Sequence, residues 1–264
     1  MSGYQSDGAS RALSGKHVLV TGGTRGIGAA ITYVLLAHGA RVTMLGRSPK
    51  PATEMIVALN QAGEVWYTQA DVADPITLVR AFDDARARSG PVEILVNNAG
   101  QASSAPLNKT DAKLWERMIA VNLSGTFHCI QAALPGMLDA GWVRIVNIAS
   151  TAGLIGYAYV SAYCAAKHGV AGLTRALALE VAAKGVTVNA VCPGYTATGL
   201  MNEAVANIVA KTGRAPEEAR EQLASRNPQK RLVRPEEVAN AAAWLCLPGS
   251  EAITGQAIAV AGAR

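Results

Sequence analysis

No stretch of this 264-residue chain approaches the roughly 18 uninterrupted apolar residues of a membrane helix, although half of its residues are hydrophobic. The apolar runs are short and broken by residues such as Arg144, Asn147, Arg175 and Glu180. Residues 1–14 are small and polar with no apolar segment, which argues against a secretory signal and predicts a flexible tail ahead of a single domain over 15–264. There are only four cysteines, Cys129, Cys164, Cys192 and Cys246. They lack metal-type spacing and three lie in apolar stretches, so buried free thiols in a reducing cytoplasm are expected. The histidines (His17, His38, His128 and His168) are dispersed, and no metal site is expected. A net charge of +5 comes without any basic run, which argues against a nucleic-acid partner. No repeat or low-complexity linker divides the chain, and its length suits one domain with a large core.

What is present is an alternation of strand and helix signals. Strands are predicted near 16–21, 41–46, 65–70, 93–97, 143–149, 186–192 and 256–260, and helices over 26–38, 51–62, 75–89, 111–138, 161–183 and 235–247. That alternation predicts an α/β, Rossmann-like domain: a doubly wound parallel sheet of about seven strands with helices on both faces. The first strand-to-helix turn reads Val18-Leu-Val-Thr21-Gly22-Gly23-Thr24-Arg25-Gly26-Ile27-Gly28. Glycines at 22, 26 and 28 permit a tight turn and a close backbone approach to a phosphate, and the helix start offers free N–H groups and a positive dipole end. The spacing differs from the commoner Gly-x-Gly-x-x-Gly fingerprint, and a purely structural turn is the alternative.

At the end of the second predicted strand an acidic residue would accept hydrogen bonds from a free ribose 2′-hydroxyl, whereas a cation accommodates a 2′-phosphate. Here the chain reads Met44-Leu45-Gly46-Arg47-Ser48, with no Asp or Glu between Arg41 and Thr53, and Arg25 adds a cation inside the glycine turn. Arginine's planar fork suits phosphate, so NADP(H) is favoured, with NAD(H) possible and solvated surface arginines as the alternative. Further along, Ser161-Ala-Tyr163-Cys-Ala-Ala-Lys167 places a tyrosine and a lysine one helical turn apart on one face. An ammonium beside a phenol is expected to lower the phenol's pKa from about 10, toward the range useful for proton transfer.

Together these residues resemble the short-chain dehydrogenase/reductase family, over nearly the whole chain from about Lys16 to Gly262. Six markers fall in the family's order: Thr21-Gly22-x-x-x-Gly26-x-Gly28, Asp71-Val72, Asn97-Asn98-Ala99-Gly100, Asn122, Ser150 with Tyr163 and Lys167, and Pro193-Gly194. The stretches Ile145–Thr151 and Val188–Gly194 look closest to polyketide ketoreductases and to 3-hydroxybutyrate and 3-hydroxyacyl-thioester dehydrogenases. The resemblance implies hydride transfer between a nicotinamide cofactor and a secondary alcohol or ketone, in a cytoplasmic homo-oligomer, a dimer or tetramer. Tyr163 would exchange the proton, Ser150 would orient the carbonyl oxygen, Lys167 would bind the nicotinamide ribose, and Asn122 would interrupt its helix and anchor a proton relay. Glycine-turn residues Gly22, Thr24, Arg25, Gly26, Ile27 and Gly28 would hold the pyrophosphate. Asp71 and Val72 would meet the adenine, and Asn98, Ala99 and Gly100 the adenosine ribose. Pro193, Gly194, Thr196 and Thr198 would lie by the nicotinamide, Thr198 fitting the pattern better than Thr196. An inactive cofactor-binding partner subunit is the non-enzyme alternative, although all four catalytic-type residues are present. The ending Val260-Ala261-Gly262-Ala263-Arg264 departs from the family's Val-Asp-Gly-Gly and puts tetramer details in doubt.

The segment Thr198–Asn227 is more polar than its flanks and follows a strand's carboxyl end, the position of a substrate lid. Its cations Lys211, Arg214, Arg220 and Arg226 would suit an anionic carrier such as a coenzyme A or acyl-carrier-protein thioester, unless they pair with Glu217, Glu218 and Glu221. The cofactor expectation is directly testable. Neutralising both Arg25 and Arg47 should raise KM for NADPH tenfold or more per residue and leave KM for NADH nearly unchanged, at about 1.5–3 kcal/mol for each charge-assisted contact. Equal changes for the two cofactors would refute the assignment.

Overall fold

The strand β1 (His17–Thr21) is buried along its whole length, as are β4 (Ile94–Asn97), β5 (Val143–Ile148) and β6 (Val186–Pro193). Burial without alternation means that both faces are covered, the usual setting of parallel strands. The computed structural model describes residues 11–49 and 53–263. In it these four strands join β2 (Arg41–Gly46), β3 (Val65–Gln69) and β7 (Ala257–Val260) in one parallel sheet of order β3-β2-β1-β4-β5-β6-β7. Each predicted strand boundary falls within one residue of the observed one.

Nine α-helices occur among the described residues: α1 (Gly26–Ala37), α2 (Thr53–Asn60), α3 (Pro75–Ser89), α4 (Ala112–Ile119), α5 (Gly125–Ala140), α6 (Ser161–Val181), α7 (Gly199–Thr212), α8 (Pro216–Ala224) and α9 (Pro235–Trp244). Successive strand side chains point to opposite faces, and the core divides accordingly. Val18 and Val20 pack with Ile31 and Leu35 of α1 and Val238 and Ala242 of α9. Leu19 faces the other way, toward Phe82 of α3, Ile130 of α5 and Leu177 of α6. Helix α3 starts as its sequence predicts: the Asp74 carboxylate accepts from the N–H groups of Ile76 and Thr77, and Pro75 takes the first position.

The interruption expected at Asn122 is present, and two other expectations need correction. The helical pattern over 111–138 is divided by a π-helical turn, Ala120–Ser124. There the Asn122 amide donates to Met118 O at 3.0 Å, and Thr126 Oγ1 donates to Asn122 O at 3.1 Å; side chains thus enter the backbone ladder and widen it. The segment expected as a polar lid carries two helices, α7 and α8. Met201, Val205, Ala219 and Leu223 form a small apolar seam between them, too narrow to stand out from its polar surroundings. The flexible tail expected over 1–14 does not extend to Leu13. Residues 1–10 lie outside the described residues, but Leu13 is fully buried in the α1–β2 core and its N–H donates to His38 O at 3.0 Å.

At the other end Ala263 adopts φ +89°, a left-handed conformation in which the family's ending carries glycine. Among the described residues no helix is long and apolar enough to cross a membrane. Because Leu13 closes the core beneath α1, Leu13→Ala should lower the unfolding free energy by about 2–4 kcal/mol in urea titration. A loss below about 0.5 kcal/mol would show that the turn before β1 adds nothing to the domain.

Candidate active site

From β1 the chain winds outward through β2 to β3, then returns to place β4 on the other side of β1 and winds the opposite way. The crevice at the carboxyl ends of β1 and β4 is therefore the switch point at which such sheets take ligands. The segments flagged from sequence gather along this edge: the glycine turn after β1, Arg47 after β2, Asp71 after β3, Asn98 to Gly100 after β4, Ser150 after β5, and Pro193 to Thr198 at the end of β6.

The glycine turn is shaped by contacts no side chain could share. Gly22 and Gly26 take φ of +63° and +53°. A Cβ on Gly28 would lie 2.2 Å from Gly22 O and 2.5 Å from the Asn98 amide nitrogen. No side chain caps the N-terminus of α1, where Arg25 is exposed and Thr24 and Ile27 are half-buried. A tight turn presenting an uncapped twelve-residue helix is a cradle that fits a dinucleotide pyrophosphate. Thr21 fastens this turn to β4: its hydroxyl oxygen accepts from the N–H groups of Asn98 (3.0 Å) and Ala99 (2.9 Å). Thr198 approaches from the far side, since a Cβ on Gly26 would lie 3.3 Å from the Thr198 methyl.

Several flagged side chains are engaged elsewhere. The Asn98 amide donates to Thr21 O (3.0 Å) and Gly22 O (3.1 Å), so its side chain braces the glycine turn instead of facing a ribose. Val72 is buried against Gly125, leaving only its backbone for an adenine. Asp71 accepts from Ala73 N at 3.0 Å. Thr196 is buried and donates to Gly194 O at 2.9 Å, whereas Thr198 is half-buried at the start of α7. Pro193 ends β6, and a Cβ on Gly194 would lie 2.5 Å from Asn227 Oδ1. Asn227 was not anticipated. Buried behind α8, it accepts from Tyr195 N (3.1 Å) and donates to Tyr195 O (2.9 Å) and Arg231 O (2.7 Å), bracing the loop that leaves β6. An isolated asparagine in a polar segment carries no sequence signal of that role.

Ser150, Tyr163, Lys167 and Asn122 converge from three elements. Ser150 caps the short 3₁₀ turn Thr151–Gly153 through Ala152 N (3.1 Å) and sits beside the Tyr163 phenol, which it acts to lower in pKa. Gly153 lets that turn press on α6, where a Cβ would come within 2.6 Å of Lys167 O. Lys167, only 4 % exposed, donates to Ile148 O at 2.8 Å and lies 5.7 Å from the centre of the Tyr163 ring. Gly100 separates Lys167 from Asn122: a Cβ there would be 2.9 Å from Asn122 Oδ1 and 3.7 Å from Lys167 Nζ. Asn122 clasps the backbone of Gln101, accepting from its N–H (3.2 Å) and donating to its carbonyl (2.9 Å).

The electrostatics differ from expectation. Loss of hydration pushes the Tyr163 phenol up to about 12, with the Ser150 hydrogen bond acting in the opposite direction. Burial also brings the Lys167 ammonium down to about 8. Proximity on one helix face predicted a depressed tyrosine, but Lys167 points its hydrogen bond at Ile148 O and desolvation governs both groups. Cys129, Cys192 and Cys246 are buried free thiols and Cys164 is half-buried. Among the described residues no group of three His, Cys, Asp or Glu is placed to hold a metal.

Residues 16–208 match the family profile described as short chain dehydrogenase, and the chain belongs to that family of oxidoreductases, which bind NAD(P). It is 37 % identical over 252 residues to the D-beta-hydroxybutyrate dehydrogenase of Rhizobium meliloti (strain 1021), covering 94 % of this chain and 97 % of that one. The acetoacetyl-CoA reductase of the same organism is 38 % identical over 246 residues, covering 93 % and 97 %. Among solved structures, an actinorhodin polyketide ketoreductase variant with NADPH superposes with a TM-score of 0.90 at 37 % identity, covering 94 % of this chain and 96 % of that one.

Burial of Lys167 has a consequence for stability. Its folded-state pKa, about 8, lies below the unfolded 10.5. Below pH 8 both states hold the proton and the burial cost is fully present. Between about 8 and 10.5 the unfolded chain holds a proton the folded chain has released, so stability rises with pH. Measured against Lys167→Met by urea unfolding, the wild-type stability should gain on the order of 3 kcal/mol between pH 7.5 and 10.5. A difference that stays flat with pH would show that the ammonium is not desolvated.

Proposed function

We propose that this enzyme interconverts a ketone and a secondary alcohol with NADP(H), and that its substrate is a 3-oxoacyl thioester or a polyketide-like ketone. The observation that carries the reading is the Ser150–Tyr163–Lys167 cluster, set beside an uncapped glycine turn at the switch point of the sheet. A bound nicotinamide supplies or accepts the hydride. The remaining tasks fall to the chain.

A phenol held high in pKa stays protonated at neutral pH, so Tyr163 is supplied as the acid that reduction requires when an alkoxide develops. Ser150, beside Tyr163, turns its single O–H to the same substrate oxygen and fixes the carbonyl in line. Lys167 uses one N–H on Ile148 O and keeps two for the ribose hydroxyls of the nicotinamide half. Asn122 locks the loop at Gly100 and Gln101 and so sets the surroundings in which Lys167 joins a proton relay. Gly22, Thr24, Arg25, Gly26, Ile27 and Gly28 cradle the pyrophosphate. Asp71 with the Val72 backbone meets the adenine, the backbone of Asn98, Ala99 and Gly100 passes the adenosine ribose, and Pro193, Gly194 and Thr198 flank the nicotinamide, with Thr196 supporting that loop from beneath.

The NADP(H) preference is supported by exposed Arg25 and Arg47, by the lack of any Asp or Glu between Arg41 and Thr53 in the sequence, and by the NADPH carried by the ketoreductase neighbour. Helices α7 and α8 serve as the substrate lid, hinged at Thr198 and at Gly213, whose φ is +70°. A thioester carrier is supported by the lid's charges. Arg214 bonds the neutral Gln222 (2.7 Å) and Arg220 the neutral Asn202 (3.0 Å), and among the described residues neither pairs with Glu217, Glu218 or Glu221.

The decisive experiment follows NADPH absorbance with acetoacetyl-CoA, a matched ketone lacking the carrier, and a bicyclic ketone. Wild type should turn over at least one of them, with the thioester ahead of its truncated match. Tyr163→Phe should lose about 10²–10⁴-fold in kcat while binding NADPH normally. Retention of wild-type kcat in Tyr163→Phe would remove the proton-donor assignment.

A further inference from the structure

The turn after β2 is held from the edge of the sheet. Gln69 Nε2 donates to Arg47 O at 3.0 Å, and the Tyr67 hydroxyl donates to Ser48 O. Tyr67 and Gln69 sit two residues apart on β3, so they share one face and reach the turn side by side. Gly46 makes the approach possible: a Cβ there would lie 3.1 Å from Tyr67 Oη and 3.4 Å from its ring. Both donors come from the strand on the far side of β2 from β1 and the glycine turn.

A trans peptide holds its N–H opposite its C=O, and the described chain has no cis peptide bond. With the Arg47 carbonyl drawn toward Gln69, the N–H of Ser48 is aimed away from Gln69. The next residue is Pro49, which has no N–H, so beyond the Arg47 backbone N–H the turn's donors are the Ser48 N–H, the Ser48 hydroxyl and the exposed Arg47 guanidinium. An N–H, a hydroxyl and a guanidinium on one fixed turn make a cradle for a phosphate monoester.

We infer that Tyr67 and Gln69 are positioning residues for cofactor selection, fixing the Arg47–Ser48 turn so that it recognises the adenosine 2′-phosphate. The inference rests on the NADP(H) reading above. Neither side chain need touch the cofactor; each acts through a carbonyl of the turn. A merely structural staple would support the two nicotinamide cofactors equally, whereas a cradle for the 2′-phosphate discriminates between them.

The test is equilibrium titration of the whole protein with NADPH and with NADH, read by nicotinamide fluorescence, for wild type, Tyr67→Phe, Gln69→Leu and Arg47→Ser, with thermal unfolding in parallel. Wild type and Arg47→Ser test the NADP(H) reading, and the β3 variants test the inference. Tyr67→Phe and Gln69→Leu should each weaken NADPH by about threefold to tenfold, the worth of one hydrogen bond, with NADH within about twofold of wild type. Arg47→Ser should abolish most of the selectivity. If Arg47→Ser does so while both β3 variants keep the wild-type ratio, or lose both cofactors equally, the inference is overturned and the NADP(H) reading stands. A wild type that binds NADH more tightly overturns the reading and the inference together.

Discussion

The site depends on one close approach of backbone to backbone at the switch point. Gly28 packs so tightly on the Gly22 carbonyl and the Asn98 amide that no side chain fits between them. That contact brings the turn after β1 against the loop after β4, and Thr21 and Asn98 hold it with four hydrogen bonds of 2.9–3.1 Å. Its effects continue along the β4 loop. Once Asn98 is fixed, Gly100 falls between Asn122 and Lys167, and the clasp of Asn122 on Gln101 then sets the π turn. The glycine turn and the Ser150–Tyr163–Lys167 cluster are thus parts of one braced surface.

Beneath that surface a buried polar chain ties α6 to the centre of the sheet. Asn97 donates to Asn147 and Asn147 to Thr174, each at 2.9 Å, and Thr174 donates to Val170 O at 2.8 Å. These bonds fix register, because slipping by one residue would break every one of them. Tyr163 and Lys167 lie on the same helix and inherit that rigidity. The burial of Lys167 works against folding and is tolerated because the surrounding core is large, a familiar exchange between stability and a prepared site.

Helices α7 and α8, proposed above as the substrate lid, have the opposite character. Helices α7 and α8 share only a small apolar seam, anchored at Tyr195 and Leu232, and most of their residues are exposed. Elements with few buried contacts open locally at low free energy, which is what a substrate cover requires. The Asn227 brace confines that freedom by fixing the loop at Tyr195 on one side and the chain at Arg231 on the other.

The sequence alone determined the sheet, the two helical layers, the glycine turn and the identity of the four clustered side chains. Short apolar runs, helical periodicity near 3.6, strand-end glycines and the Asp74–Pro75 cap are local properties that the chain carries wherever it goes. The Asn122 break was also legible, because asparagine is a poor helix former in a long helical pattern. Only the tertiary structure decided what those side chains face. Val72 and Thr196 are buried, Asn98 is turned onto the glycine turn, Leu13 is drawn from an expected tail into the core, and α7 and α8 fold on a seam that four scattered residues supply. It also reversed the expected electrostatics. Spacing places Lys167 beside Tyr163, but a pKa is set by hydration and by the direction of hydrogen bonds, and both depend on segments distant in the chain: the carbonyl of Ile148, the hydroxyl of Ser150 and the packing that excludes water.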